Sequence, residues 1–216
     1  MSNRPHSVGD PGRGRFFVLD GVDGCGKSTQ AASLCERLAA AGCGAPLHLR
    51  EPGGTRLGEA LREVLLSREF EIEAGVESLL FCASRAQMLN EQVEPALAAG
   101  QHVVCERGNA STFAYQCAAG ELDEKLVLNL LGNWAGAPKP TLEILLGVDV
   151  QRASERRGNA GDRIEDKGLG FQSAVARGYE RYFELAGGSG RVVKVSGEGS
   201  AEDVGQLVWE ETQRVL

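Results

Sequence analysis

One run of residues has the composition and spacing of a phosphate site: Gly21-Val22-Asp23-Gly24-Cys25-Gly26-Lys27-Ser28, with Thr29 following. Gly21, Gly24 and Gly26 let the backbone turn tightly enough for consecutive amide N–H groups to converge on phosphate oxygens. The helix beginning near Lys27 adds the positive end of its dipole. Lys27 would place a point charge on the β- and γ-phosphates of ATP, and Ser28 would offer its hydroxyl to Mg²⁺. A glycine-rich turn can match part of this pattern by chance. The complete pattern, set between an apolar strand and an alanine-rich helix, points to nucleotide binding.

A metal held by a hydroxyl and phosphates wants a carboxylate at the end of a neighbouring strand, to hold the ion or its water shell. Val103-Val104-Cys105-Glu106-Arg107 supplies one, with the acid followed directly by a guanidinium. The plainer reading is a surface ion pair closing a strand. A formal net charge of -7 disfavours a broad nucleic-acid surface, because that binding needs clustered Lys and Arg. A small anionic ligand needs only a local basic pocket.

These residues need a frame, and the pattern along the chain describes one. Short β-type runs at Phe16–Leu19, Leu47–Arg50, His102–Cys105, Leu142–Val148 and Val192–Val195 alternate with segments of helical period. Those helices fall at Lys27–Ala41, Leu57–Leu66, Glu77–Ala99, Leu122–Ala135, Gln151–Arg157, Phe171–Ala186 and Ala201–Val215, with Gly42 and Gly100 as stops. The alternation predicts an α/β fold, a parallel sheet covered by helices. At 216 residues, 42% hydrophobic and 25% charged, the chain suits one globular domain, 16–216, after a polar, Gly- and Pro-rich tail over 1–15. The tail carries no apolar core of a secretory signal, and no window reaches the length of a membrane span, so a soluble cytoplasmic protein without membrane contact is expected. Six scattered cysteines, none in a Cys-x-x-Cys pair, read as reduced thiols. His6, His48 and His102 are isolated and read as structural. The charged, Gly-rich stretch Arg156–Gly170 reads as a mobile surface segment.

With these residues placed, the chain resembles the bacterial thymidylate kinase family from about Arg15 to the C-terminal helix. Arg50-Glu51-Pro52-Gly53-Gly54-Thr55 is similar to that family's loop after the second strand, Leu80-Phe81-Cys82-Ala83-Ser84-Arg85 to its nucleobase-binding helix, and Ala114-Tyr115-Gln116 to its Ala-Tyr-Gln signature. The resemblance implies a P-loop nucleoside monophosphate kinase fold: a five-stranded parallel sheet flanked by helices, with a mobile lid over about 156–170. It further implies a homodimer that phosphorylates dTMP with ATP and Mg²⁺.

The implied roles fall residue by residue. Phe81 and Arg85, four apart on one helix face, would stack on thymine and donate to its carbonyl. Gln116 and Thr112 would read the base edge, Gln116 carrying both donor and acceptor. Tyr115 would pack under the deoxyribose, and Asp23 would lie near the 3′-hydroxyl and the reacting phosphates. Arg62 and Arg107 would clamp the dTMP phosphate through their planar forks. The phosphate loop's variable positions hold no Lys or Arg, and family members of that kind carry lid arginines. Arg156, Arg157 and Arg163 match them as the source of positive charge on the transferring group; a solvated loop is the other reading. Three positions depart from the family. Glu106-Arg107-Gly108 stands where Asp-Arg-Tyr is usual, lengthening the carboxylate and removing an aromatic wall near the monophosphate, and Cys117 stands for a glycine. A kinase for another deoxynucleoside monophosphate and a catalytically weak nucleotide-binding relative are the competing functions.

Overall fold

Phe16, Phe17, Val18 and Leu19 are all buried, which fits β1 (Phe16–Asp20) to the middle of a sheet covered on both faces. The computed structural model describes residues 12–157, 163–164, 167–186 and 191–216. β2 (Leu47–Arg50), β3 (Val103–Glu106), β4 (Leu142–Gly147) and β5 (Val192–Ser196) complete a five-stranded sheet of order β2-β3-β1-β4-β5, every pair parallel. The chain leaves β1 for one edge of the sheet and returns from β3 to the other. Such a switch point opens a crevice at the carboxyl ends of the strands. Register aligns those ends, because Leu19 and Arg50 both stand opposite Glu106.

The helices pack in two layers. α1 (Lys27–Ala40) buries Ala31, Leu34 and Leu38 and lies beside α9 (Ala201–Gln213), which a Ser200/Asp203 capping box starts. The other layer holds α2 (Arg56–Leu66), α3 (Ala74–Met88), α6 (Glu124–Trp134), α7 (Val150–Arg157) and α8 (Gly168–Ala186), together with a short α5 (Asn109–Thr112). Side chains alternate across β1: Phe16 and Val18 meet Met88, Leu89 and Val93, while Phe17 and Leu19 join Leu34 and Leu38.

The structure departs from the expected elements at three places. The single helix expected over Glu77–Ala99 starts at Ala74 and contains a widened π turn at Leu89–Val93 before α4 (Glu94–Ala98). Pro95 lacks the N–H that would continue the ladder, and a π turn accommodates the break. A helix not expected at all runs through α5 into a second π turn at Phe113–Ala118. The stretch 156–170 is shorter as a non-helical segment, since α7 reaches Arg157 and α8 starts at Gly168; residues 158–162 and 165–166 lie outside the described residues. Residues 13–15 of the expected tail are bonded to the body, with Arg13 paired to Glu94 and Arg15 N donating to His102 Nδ1 at 2.8 Å. Residues 1–11 lie outside the described residues.

Candidate functional site

The loop after β1 turns as its glycines predict. Gly21, Gly24 and Gly26 have φ of 143°, 85° and 100°. Gly24 also lies so close to α7 that an added Cβ would stand 2.0 Å from the Ala153 carbonyl oxygen. Lys27 Nζ donates to the carbonyls of Gly21 at 2.8 Å and Val22 at 2.9 Å and stands 3.8 Å from Asp23 Oδ1. Gly24, Gly26, Lys27, Ser28 and Thr29 line a cleft with Glu106, whose Oε2 accepts from the Ser28 hydroxyl. Its Oε1 meets His48 Nε2 at 3.0 Å. Arg50, Arg62, Arg107 and Arg156 face the same cleft. A chain with net negative charge thus gathers five cations, with Lys27, at one place, which suits a polyphosphate.

A second cleft adjoins the first. Phe81, Thr112, Tyr115 and Gln116 line it with Arg62, Arg107 and Gly108. Arg107 takes a left-handed backbone, φ 71°, which costs a non-glycine residue about 1–2 kcal/mol. Its guanidinium reaches Asp23 Oδ1, donates to Ser111 Oγ at 3.3 Å and lies 5.4 Å from the Tyr115 ring centroid. Burial opposes ionisation of Asp23, but Arg107, Lys27 and the Tyr115 hydroxyl overcome it and hold the carboxyl well below its usual range. Arg62 NH1 donates to the Pro52 carbonyl at 3.1 Å. Asp23, Glu51, Arg62 and Arg107 line both clefts.

Behind the second cleft lies a buried layer of charge. Arg85, 2% exposed, donates through NH1 to Glu51 Oε2 at 2.7 Å, and its Nε makes no hydrogen bond. Burial pushes the Glu51 carboxyl up to about 7, against the pull of Arg85. Asp20 takes a hydrogen bond from Ser111, and Glu143 accepts from Tyr182 at 3.1 Å. Gly108 is held at this layer: a Cβ there would stand 2.7 Å from Val18 Cγ1 and 3.0 Å from Asp20 Oδ2. The backbone here has no room for a side chain, so the glycine answers a close approach.

Most of the residues singled out in the sequence therefore converge. Arg85 backs the second cleft and does not line it. Arg156 reaches the phosphate cleft and donates to the Gly197 carbonyl at 3.0 Å. Arg163 is elsewhere, bonded to Glu77 and, at 3.1 and 2.9 Å, to the Leu65 carbonyl. Arg157 ends α7. Four participants were missed: Arg50 and Glu51, though both lie in the quoted Arg-Glu-Pro-Gly-Gly-Thr run; His48, read as structural; and Glu77. Glu77, Phe81 and Arg85 follow at four-residue steps along α3, a spacing that could have revealed the first.

The thymidylate kinase family model matches residues 19–208. A thymidylate kinase of Afipia carboxidovorans is 38% identical over 212 residues, covering 95% of this chain and 92% of that protein. One of a Synechococcus species is 44% identical over 174 residues, covering 77% of this chain and 82% of its own length. The crystal structure of thymidylate kinase from Ehrlichia chaffeensis superposes with a TM-score of 0.76 at 24% identity, over 93% of this chain and 99% of that one, and so shares the fold. The chain belongs to the thymidylate kinase family.

Proposed function

We infer that this chain transfers the γ-phosphoryl group of ATP to dTMP, giving dTDP and ADP. The observation that carries this reading is the sharing of Asp23, Arg62 and Arg107 between the two clefts. A triphosphate on the loop amides and a monophosphate in the second cleft would meet there, with two guanidiniums to neutralise charge on the transferring group. The chemistry is positioning and electrostatics, with no covalent enzyme intermediate. Phe81 offers a face for the base, Thr112 and Gln116 its polar edge, and Tyr115 a floor for the sugar. Arg85 would act from behind this wall through Glu51 or through movement of the 51–54 loop. Ser28 and Glu106 present hard oxygen donors that fit Mg²⁺, which would neutralise β- and γ-phosphate oxygens when bound. Among the described residues no group of three or more His, Cys, Asp or Glu side chains could hold a metal, in keeping with an ion shared with phosphates and water.

A segment around 156–170 would act as a lid that brings arginines to ATP; Arg156 at the phosphate cleft supports this. The assembly we propose is a homodimer through α2, α3 and α6. Leu57 and Val64, Val76 and Leu79, and Leu126 and Trp134 are exposed on these three helices, Trp134 at 71%, and a second copy of the chain would cover them. Light scattering on the wild type and a Leu79→Glu variant tests the assembly. No described helix is long and apolar enough to cross a membrane; the cytoplasm, with its reduced thiols, is the compartment proposed. ADP release measured with dTMP, dUMP, dCMP, dGMP and AMP tests the activity. Strong preference for dTMP is expected, whereas equal turnover of another monophosphate, or binding without turnover, would overturn the assignment.

A further inference from the structure

Glu77 is 3% exposed in α3, and both of its carboxylate oxygens are engaged. Oε1 accepts from Gln116 Nε2 at 2.7 Å, and Oε2 accepts from Arg163, whose guanidinium is also fixed on the Leu65 carbonyl. Both Glu77 oxygens accept, one of them from a guanidinium, so the carboxylate presents acceptors to its neighbours. The amide of Gln116 must therefore turn its nitrogen toward Glu77. The consequence falls at its other end: Gln116 Oε1 is buried and makes no hydrogen bond, while Gln116, 1% exposed, lines the cleft beside Phe81 and Thr112. A buried acceptor left unsatisfied is unfavourable, so a donor that reached it from the cleft would be favoured.

We propose that Glu77, clamped by Arg163, is a positioning residue for base selection: it fixes the polarity of Gln116 so that the cleft presents a carbonyl acceptor. Pyrimidines with a ring imide N–H, thymine and uracil, satisfy that acceptor. Cytosine has a lone pair at the same ring nitrogen and would leave two acceptors facing each other, the arrangement a polar site rejects most strongly. The proposal rests on the reading that Gln116 faces the base.

The test is the ratio of kcat/KM for dTMP to that for dCMP in the wild type, Glu77→Gln, Gln116→Ala and the double variant, with melting midpoints alongside. Glu77→Gln keeps the shape but can pair with either end of the Gln116 amide, which frees it to flip. The ratio should fall by about tenfold or more, chiefly through KM, and the double variant should fall no further than Gln116→Ala alone. A ratio that survives Glu77→Gln but collapses in Gln116→Ala overturns the positioning role and leaves the base reading standing. A ratio unmoved by Gln116→Ala overturns both. Should Glu77→Gln not fold, Arg163→Met carries the test: it loosens the clamp from a half-buried position and should lower the same ratio by about threefold, an unchanged ratio counting against the proposal.

Discussion

The hydroxyl of Tyr115 donates to Asp23 Oδ2 at 2.6 Å, fastening the π turn at Phe113–Ala118 to the phosphate loop. Arg107 holds the other oxygen of the same carboxylate, so the wall of the second cleft and the Gly21–Ser28 loop are joined through one ionised group. Tyr115→Phe removes a hydrogen bond to a charge, a net loss of about 1.5–3 kcal/mol, and should lower the melting midpoint by about 3–12 °C. The ring stays, so preference for dTMP over its ribonucleotide counterpart should stay. Tyr115→Ala opens space for a 2′-hydroxyl and should reduce that preference by about tenfold. Kinetics with both nucleotides check this, and an Ala variant with undiminished preference would show that the ring does not police the sugar.

Glu106 sits between the Ser28 hydroxyl and His48 Nε2. His48 thus props the longer carboxylate at the edge of the phosphate cleft. Glu106→Gln keeps the shape and removes the charge. Half-saturating Mg²⁺ should rise by about tenfold or more, with a smaller rise for His48→Phe, which takes away a supporting partner. Titration of turnover with Mg²⁺ at fixed ATP measures both. Wild-type Mg²⁺ dependence in Glu106→Gln would reduce Glu106 to a structural ion pair.

The strands and the phosphate loop were legible in the sequence because their signals are local. A buried apolar run such as Phe16–Leu19 and three glycines at fixed spacing say the same thing in any context. The helix carrying Thr112, Tyr115 and Gln116 was not legible as a helix, since residues 110–117 are buried on every side and leave no polar stripe to set a 3.6-residue period. Its Ser, Thr and aromatic residues are also middling helix formers. Only the family motif marked these residues. His48 and Glu77 were missed for another reason: their partners, Glu106 and Gln116, are 58 and 39 residues away in sequence. Arg163 looked like one of three equivalent arginines, and only its anchorage on Leu65 and Glu77 separates it from Arg156.

That separation predicts two phenotypes from one segment. Arg156 lines the cleft at the Gly24–Thr29 loop, and on the proposed reading its loss should lower kcat by about 10²-fold, as expected where a cation stabilises the transferring group. Arg163 is bonded to Glu77 and the Leu65 carbonyl, and on the proposed reading Arg163→Ala should raise KM for dTMP several-fold and change kcat by no more than about threefold. Steady-state kinetics with both substrates varied distinguish them. A 10²-fold drop in kcat for Arg163→Ala with unchanged KM would place that residue at the phosphoryl group in the closed enzyme instead.

The last prediction concerns the buried layer behind the cleft. Glu143 is 4% exposed, and burial, reinforced by Asp20 and opposed by Arg85, pushes its carboxyl from 4.5 up to about 8. The folded protein therefore holds a proton on Glu143 that the unfolded chain releases from about pH 4.5 upward. Stability from this group is greatest below pH 4.5 and falls as pH rises toward 8, where the folded state must ionise it. Glu143→Gln imitates the protonated form: its oxygen can accept from Ala110 N, as Oε1 does, and its nitrogen can donate to the Tyr182 hydroxyl. At pH 5 the variant and the wild type should melt within about 2 °C of each other, since both are neutral here and similar in shape. At pH 8.5 the variant should melt higher, by about 2–4 °C for each kcal/mol of ionisation cost removed. Melting curves of the two proteins across pH 5–8.5 measure that difference. A constant gap across the range would mean that Glu143 is already ionised at pH 5, with Arg85 outweighing burial and the charge of Asp20.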